Sequence, residues 1–473
     1  MVFSSVVFIF VFLPLFLAVY YAASTKLKSY VILAGSYGFY AWWRADFLVL
    51  LIIISVVNYF LGSLIYTSHD VVWRKIYLAV GIILNLGTMF FFKYLNFFVG
   101  SVICGFNNCG QIPSFIGSII LPIGLSFFIF HTISYLIDLY RREAPPAERL
   151  VDFCAFIALF PHLVAGPVLR YKDLSGQFRS RTHTWEKFNH GAMRFFLGLA
   201  KKVLIADSVA PIADAMFAVK DPTMSESWLG AIAYTVQLYF DFSGYSSMAV
   251  GLALMMGFHF IENFRSPYMS RSITEFWQRW HISLSTWLRD YLYISLGGNR
   301  LGAVRTYFNL LVTMLLGGLW HGANWTFIIW GLMHGALLAT ERVCGVNPKI
   351  VRHWVNWLPT LLFVIVGWVF FRSPSVEAAS SFIHGMIGFN GLNVRAENAW
   401  QIKVFSLAVL AIGFAISLSE PLLIKLFSRG QVSSMVVPRP ANLLLGFTAS
   451  VLGLFAIVKL VADSETPFLY FQF

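Results

Sequence analysis

Residues 47–66 read FLVLLIIISVVNYFLGSLIY and contain no charged side chain. A helix crosses the apolar core of a bilayer with about 20 residues, so this stretch is long enough to span it. Comparable stretches cover residues 2–22, 29–43, 76–98, 117–140, 228–256, 307–320 continuing into 324–340, 354–371, 402–426 and 441–461. The sequence therefore predicts an all-α polytopic membrane protein with about ten or eleven spans, the first of them retained. No repeat or long polar linker divides the chain, so residues 1–473 are predicted to form a single membrane domain.

The composition excludes a soluble globular enzyme. Of the 473 residues, 58% are hydrophobic and only 12% are charged, about half the charged share of a soluble domain. The 34 Lys and Arg residues exceed the 22 Asp and Glu residues, which gives a formal charge of +12. Basic residues at the cytoplasmic ends of spans explain this excess, and no nucleic-acid partner is predicted.

The orientation follows from the basic loops. One side of the predicted membrane has Lys26, Lys28, Arg74, Lys75, Arg141, Arg142 and Arg149. The loop 104–114 between these groups has no charge, so the N-terminus is predicted to lie outside the cytoplasm. Cys104 and Cys109 would then lie in an oxidising compartment, and the sequence leaves open whether they pair.

Residues 160–167, FPHLVAGP, fit a straight span poorly because they contain two prolines and a glycine. Irregular backbone at membrane depth is tolerated where protein or a water-filled cavity surrounds it. We expect a re-entrant segment here. The Arg and Lys residues between 170 and 202 either meet the phosphates of a cytoplasmic ligand or merely mark the cytoplasmic side.

Three polar groups inside apolar stretches are candidates for chemistry, because ionisable groups at membrane depth are costly. Asp241 lies in QLYFDFSGY (237–245), where it is either functional or a hydrogen-bonding anchor between helices. Residues 275–300 predict one amphipathic helix at the membrane interface, with His281 in its apolar stripe. That helix is either a plain anchor or part of a site that uses His281.

The third group is GGLWHGANW (317–325), where three glycines surround His321. Glycine costs a helix about 1 kcal/mol relative to alanine and permits the close approach of backbone or a ligand. A histidine here is either a general base or a satisfied core residue. On one straight helix His334 would lie about 20 Å from His321 and would not share its site, but a helix broken at Gly322 could change this, so His334 is a secondary candidate.

Other catalytic patterns do not occur. The chain has no Gly-x-Ser-x-Gly, no phosphate-binding glycine loop, no His-Glu-x-x-His and no Cys-x-x-Cys. No metal is therefore expected. A histidine in a membrane cavity remains the predicted reactive group.

Long stretches of the chain resemble the bacterial membrane-bound O-acyltransferases, in particular their alginate O-acetylation subgroup. These stretches are MVFSSVVFIFVFLPLFL (1–17), SYGFYAWWRADF (36–47), LPIGLSFFIFHTISYLIDLYR (121–141), FPHLVAGPVLRY (160–171), QLYFDFSGYSSMAVGLALMMG (237–257), FWQRWHISLSTWLRDYLY (276–293), GGLWHGANWTFIIWG (317–331) and TPFLYFQF (466–473). The resemblance implies a helical fold around a central funnel, with re-entrant and interfacial helices, in the bacterial inner membrane. It places the catalytic histidine of the family on His321 and a second histidine on His281. Asn324, Asp290, Asp241 and Trp320 are supporting candidates.

The resemblance also implies a reaction. Acetyl-CoA would supply an acetyl group from the cytoplasm, and a periplasmic acetyltransferase partner within the polysaccharide-synthesis machinery would receive it, for O-acetylation of an exopolysaccharide in biofilm. Alginate is the expected polymer, with cellulose as the alternative. Two other classes remain open: a transporter of acyl donor or glycan, for which no inverted repeat is visible, and a scaffold without chemistry.

Overall fold

A computed structural model of the protein describes residues 1–104, 119–346, 354–428, 439–462 and 468–469. All regular secondary structure in these ranges is helical, which confirms the predicted all-α class. Four of the described helical stretches are long and apolar enough to cross a bilayer: Ala45–Thr67, Val71–Ser101, Val404–Leu422 and Leu444–Ala462. The total of ten or eleven spans and the central funnel stay predictions.

The chain forms two compact units. The first comprises Met1–His190 with Leu252–Ile261, and the second comprises Gly191–Gly251 with Glu262–Phe473. The single domain over residues 1–473 stays a prediction.

The helices that lie entirely within the first unit include two π-helical turns, Phe8–Phe12 and Phe90–Tyr94. Its α-helices are Leu13–Ala22, Lys28–Ala41, Ala45–Thr67, Val71–Met89, Leu95–Cys104, Leu125–Arg141, Leu150–Ala158, Phe160–Leu163 and Tyr171–Arg179. Phe160–Leu163 is a single short turn, so no straight span passes through residues 160–167. Whether the chain returns to the same membrane face there stays a prediction. Cys109 and the side chain of Cys104 lie outside the described residues, so their pairing also stays a prediction.

Asparagines hold three helices of the first unit together. The amides of Asn58 and Asn85 donate to each other over 3.2 and 2.7 Å, and the Thr132 hydroxyl donates to Asn85 Oδ1 over 2.8 Å. Lipid tails are as apolar as leucine, so such interhelical hydrogen bonds and close packing take the place of the hydrophobic effect between spans.

The second unit contains the candidate site. Two of its helices, Trp185–Ala200 and Met224–Met255, belong partly to the first unit. Its other regular elements are Lys201–Ala206, Asp207–Phe217, Pro267–Met269, Ile273–Arg279, Ile282–Trp287, Leu288–Tyr293, Ala303–His321, Trp325–Val343, Trp354–Asn356, Trp357–Arg372, Val376–Ile387, Ala396–Ala399, Val404–Ser428 and Arg439–Ala462. Among these, Lys201–Ala206 and Leu288–Tyr293 are π-helical. The helices between 185 and 217 and the helix Val376–Ile387 were not predicted from the sequence.

Ala303–His321 and Trp325–Val343 form a tightly packed antiparallel hairpin. A Cβ atom on Gly318 would collide with the carbonyl oxygen of Phe327, and one on Gly331 would collide with that of Met314. Small residues at such positions let two helix backbones approach closely in a membrane. Gly318, one of the three glycines around His321 in the sequence, therefore permits the close packing of these two helices.

Candidate active site

His321 is the last residue of the helix Ala303–His321 and is 6% exposed. Its imidazole lies among aromatic rings, with centroids 5.0 Å from Trp320, 5.3 Å from Trp330 and 5.1 Å from Phe371. The carbonyl end of a helix has a partial negative charge and stabilises a cation. The helix end at His321 therefore offers electrostatic stabilisation to a positive charge that develops there during proton transfer.

The turn after His321 is made by Gly322 and Asn324. Gly322 is extended (φ −162°, ψ 151°) and ends the helix, and a Cβ atom there would collide with the ring of Phe327. Asn324 begins the next helix, because its Oδ1 accepts from the backbone N–H of Thr326 over 3.1 Å. Its Nδ2 donates to the Pro374 carbonyl over 2.8 Å. Asn324 thus holds both the hairpin turn and the segment at Pro374.

His281 breaks the helix that the sequence predicted over 275–300. The structure has the separate elements Ile273–Arg279, Ile282–Trp287 and Leu288–Tyr293, so the prediction of one continuous helix was wrong. His281 has left-handed backbone dihedrals (φ 44°, ψ 53°), which are uncommon for a residue other than glycine. Such strain persists where surrounding contacts fix it, and it is concentrated at functional sites.

Those contacts come from Asn263. Its Oδ1 accepts from the backbone N–H of Ser283 (3.3 Å) and from the Ser283 hydroxyl (2.8 Å), which assigns this atom as the oxygen of the amide. The Nδ1 atom of His281 lies 3.1 Å from the same oxygen and must therefore donate to it. In neutral His281 this leaves the lone pair on Nε2. That atom is buried and has no hydrogen-bond partner in the described part of the chain.

Trp320 lies beside both histidines. Its ring centroid is 6.2 Å from that of His281 and 5.0 Å from that of His321, and its side chain is almost fully buried. His281 also contacts the ring of Phe242, at 4.7 Å. The structure therefore brings together three residues that the sequence analysis selected separately: His281, Trp320 and His321.

His334 also belongs to this cluster, which the straight-helix argument did not predict. Because the chain reverses after His321, the rings of His321 and His334 both contact Trp330, at 5.3 and 4.8 Å between centroids. The Trp277 indole N–H donates to His334 Nδ1 over 3.2 Å. The glycine after His321 was the sequence signal for this reversal.

Asp241 is an ion-pair partner. Lys202 Nζ lies 2.9 Å from its Oδ1 and 2.5 Å from a carboxylate oxygen of Asp207, and the backbone N–H of Leu469 donates to Asp241 Oδ2 over 3.0 Å. Both Lys202 and Asp241 are buried. This geometry agrees with the anchoring alternative given for Asp241.

Asp290 lies on the π-helical turn Leu288–Tyr293. The exposed Arg289 donates to it through Nε over 2.7 Å, and the Asp290 side chain is 17% exposed. No group of three or more His, Cys, Asp or Glu residues in the described ranges is arranged to hold a metal ion.

The sequence of the chain was compared with known proteins. The sequence model of the membrane-bound O-acyltransferase family matches residues 142–376, which include both candidate histidines. The chain is 48% identical to the probable alginate O-acetylase AlgI of Azotobacter vinelandii, with full coverage of both proteins. The chain belongs to the membrane-bound O-acyltransferase family. It is an acyltransferase and a membrane protein, as the sequence analysis predicted.

Two further members of the family support this assignment. The probable alginate O-acetylase AlgI of Pseudomonas aeruginosa is 52% identical over 88% of this chain and 81% of its own length. The peptidoglycan O-acetyltransferase of Helicobacter pylori is 35% identical over 83% of this chain and 81% of its own length. The predicted resemblance to the alginate O-acetylation subgroup is thereby confirmed.

Proposed function

We propose that this acyltransferase transfers acetyl groups across the bacterial inner membrane for the O-acetylation of alginate. Acetyl-CoA is the donor on the cytoplasmic side, and a periplasmic acetyltransferase partner receives the acetyl group. The observation that supports this proposal is the pair of histidines beside Trp320, in a chain whose sequence is about half identical to those of relatives named alginate O-acetylase. Within the proposal His321 and His281 are the catalytic residues.

In the proposed reaction, His321 acts as general base. Its unprotonated ring nitrogen removes the proton of the acceptor hydroxyl while the oxygen attacks the thioester carbonyl. A C–O bond forms, the C–S bond breaks, and the thiolate takes up the proton from the imidazolium. The carbonyl end of the helix Ala303–His321 stabilises that imidazolium while it exists.

His281 orients the acceptor in this scheme. Because Asn263 fixes the proton on Nδ1, the lone pair on Nε2 can accept a hydrogen bond from a hydroxyl. Trp320 excludes water between the two imidazoles, and dry surroundings strengthen each of these hydrogen bonds.

The developing oxyanion needs donors. The backbone N–H groups near Gly322 and the second amide hydrogen of Asn324 are our candidates, since one amide hydrogen of Asn324 is already used by Pro374. Asp241 supports the site indirectly, because it lies in the same helix as Phe242 and Phe242 contacts His281. Asp290 has a structural task in the same scheme, in the π-helical turn Leu288–Tyr293 that follows the helix Ile282–Trp287.

A reconstituted system tests the function. Purified protein in lipid vesicles receives acetyl-CoA outside or inside, and acetyl ester is measured on alginate or cellulose with and without the periplasmic partner. We expect esterified alginate only with the partner on the side opposite acetyl-CoA. Esterified cellulose instead of alginate would replace the polymer, and esterified polymer without a partner would place the polymer site on this chain. Transport of acetyl-CoA without thioester cleavage would contradict the proposed chemistry and favour a transporter.

A further inference from the structure

Most cations between residues 170 and 202 have a carboxylate partner. Such pairs are Arg170 with Asp173, Lys172 with Glu143, Arg179 with Glu148, Arg194 with Glu262, Lys201 with Glu420 and Lys202 with Asp207. Arg181 and Lys187 differ, because neither forms an ion pair with any carboxylate among the residues that the structure describes. Glu186, next to Lys187 in sequence, lies 3.9 Å from His190 instead.

The Tyr20 hydroxyl connects Arg181 to the segment at Met256 within the first unit. Its hydroxyl accepts from Arg181 Nε over 2.9 Å, donates to the Met256 carbonyl over 2.7 Å and lies 2.9 Å from His183 Nε2. Arg181 also packs on the ring of Phe258, 4.5 Å from its centroid. The guanidinium is thus held in place by neutral groups.

Lys28 completes the cluster. Its Nζ donates to the Tyr20 carbonyl over 2.8 Å and lies 4.1 Å from the centroid of the Tyr20 ring. Lys28 is 7% exposed and has no carboxylate partner in the described ranges. A lysine is rarely so buried without a counter-charge. Burial and the nearby Arg181 lower the pKa of Lys28, and burial together with Lys28 and Arg181 lowers the pKa of His183.

In the cluster of Lys28, Arg181, His183 and Lys187, the lysines and the arginine therefore present positive charge that no carboxylate among the described residues neutralises. Lys187 lies at its edge, where Nζ donates to the Thr182 hydroxyl over 2.5 Å. An anion with several oxygen acceptors would compensate this charge, and phosphate suits arginine and lysine together.

Apolar and aromatic surroundings indicate where that phosphate comes from. The cluster begins at the end of the apolar helix Phe8–Ala22, whose residues Leu15 and Val19 are exposed. Tyr21, 43% exposed, contacts His183 with ring centroids 5.8 Å apart, and Trp185, 75% exposed, lies between His183 and Lys187 in sequence. Exposed aromatic rings beside cations are typical of the membrane interface, where lipid headgroups lie.

We propose that Lys28, Arg181, His183 and Lys187 form a binding site for the phosphate of an anionic phospholipid, whose acyl chains lie along the exposed face of Phe8–Ala22. This site goes beyond the acyl transfer proposed above. The phosphate compensates the buried Lys28 and the partly exposed Arg181 and Lys187, and it links the end of the first apolar helix to the segment 181–187.

Native mass spectrometry of the purified full-length protein tests the site. Phosphatidylglycerol and phosphatidylcholine of equal chain length are added in turn to wild type, Lys28→Gln, Arg181→Gln and the double variant. Each cation near a lipid surface contributes about a fivefold preference. We expect the double variant to lose most of the wild-type preference for phosphatidylglycerol. Lys75→Gln is the matched control, because it removes one exposed basic charge from the same unit outside the cluster.

Two further variants test whether misfolding explains a loss of lipid preference. Arg181→Lys keeps the charge and should keep much of the preference, and Lys187→Gln removes only the cation at the edge and should weaken it mildly. An unchanged preference for phosphatidylglycerol in all variants would overturn the proposal. Coenzyme A added to the same samples separates the two sources of phosphate: its binding at Lys28 and Arg181 without any lipid preference would overturn the lipid assignment and make this a site for a soluble phosphate.

Discussion

Asn263 Oδ1 accepts a hydrogen bond from Nδ1 of His281, eighteen positions later in the chain, over 3.1 Å. The bond fixes which nitrogen of the imidazole has the proton and leaves the lone pair on the buried Nε2. Asn263 is itself held by Ser246, to whose hydroxyl it donates over 3.0 Å. The helix Met224–Met255, through Ser246, and the non-helical segment at Asn263 thus fix one tautomer of His281.

Asn263→Ala should impair acetyl transfer through His281. We expect kcat to fall by up to about 10²-fold because the imidazole loses its orientation, with little change in KM for the donor. Steady-state kinetics of the reconstituted enzyme give this ratio. Ser246→Ala is the milder companion, and an equal rise in KM without loss of kcat would contradict a positioning role.

His321→Ala should abolish acetylation while the protein still inserts and accumulates. The loss of a general base costs about 10²- to 10⁴-fold in rate. The measurement compares polymer ester content with the amount of each variant in the membrane fraction. His334→Ala serves as the comparison, because it removes an imidazole from the same aromatic cluster. Acetylation near the wild-type level by His321→Ala would remove the general-base assignment.

Asp241→Leu should destabilise the protein by leaving the charge of Lys202 partly uncompensated in its buried site. Breaking a buried ion pair on one side costs about 3 to 5 kcal/mol. The double variant Lys202→Met, Asp241→Leu should regain much of that loss. Thermal unfolding in detergent measures both, and a double variant as unstable as the sum of its single variants would refute the coupling.

Glu226, in the first turn of the helix Met224–Met255, should make stability depend on pH. Burial acts to raise its pKa, but hydrogen bonds from Arg395 and Asn398 prevail and lower it from 4.5 to about 2. A lowered acid pKa adds stability above the unfolded pKa, and this contribution is lost as the pH falls from about 4.5 towards 2.

Glu226→Gln should therefore lower the free energy of unfolding by about 2 kcal/mol at pH 7, and the difference from wild type should shrink below pH 4.5. Thermal unfolding at pH 7 and pH 3.5 checks this. Glu186→Gln, at a largely exposed side chain, should change neither value. A difference that stays constant between the two pH values would show that the carboxylate charge has no part in it.

The N-terminus should face the periplasm. The native cysteines are replaced by serine, and single cysteines are introduced at Asn107 and at Pro145 for labelling with a membrane-impermeant reagent in intact cells. We expect label at position 107, which belongs to the uncharged loop, and protection at position 145, which lies among Arg141, Arg142 and Arg149. The reverse pattern would invert the whole orientation.

The sequence predicted long apolar helices best, because apolar composition alone is enough to identify them. Residues 47–66 have an uncharged apolar run, and the helix observed is Ala45–Thr67. Charged helices such as Tyr171–Arg179 were missed, because their alternation of polar and apolar residues has no span-length signal. The thickness of the bilayer sets the length of a membrane-spanning helix, whereas it sets no length for an amphipathic helix.

The sequence selected the candidate site residues but did not show the contacts between them. The helical spacing of Trp277, Trp280 and Leu284 continues through His281, so local pattern gave no sign of a break. The break depends on Asn263, whose hydrogen bonds to His281 and Ser283 are tertiary contacts. Likewise, His321 and His334 share Trp330 only because the chain reverses between the two helices.

Because His281 has a left-handed backbone, a substitution there by a residue such as alanine changes both the backbone conformation and the chemistry of the site. Alanine removes the imidazole and also disfavours these dihedral angles, so the amount of folded protein and the turnover both fall. Asparagine and glycine tolerate that conformation and remove the imidazole alone. A substitution series at position 281 would therefore separate the two effects. The amount of protein in the membrane would be higher for asparagine and glycine than for alanine, whereas turnover would be low for all three. The difference between the two rankings measures how much of the effect of a substitution at position 281 is conformational and how much is chemical.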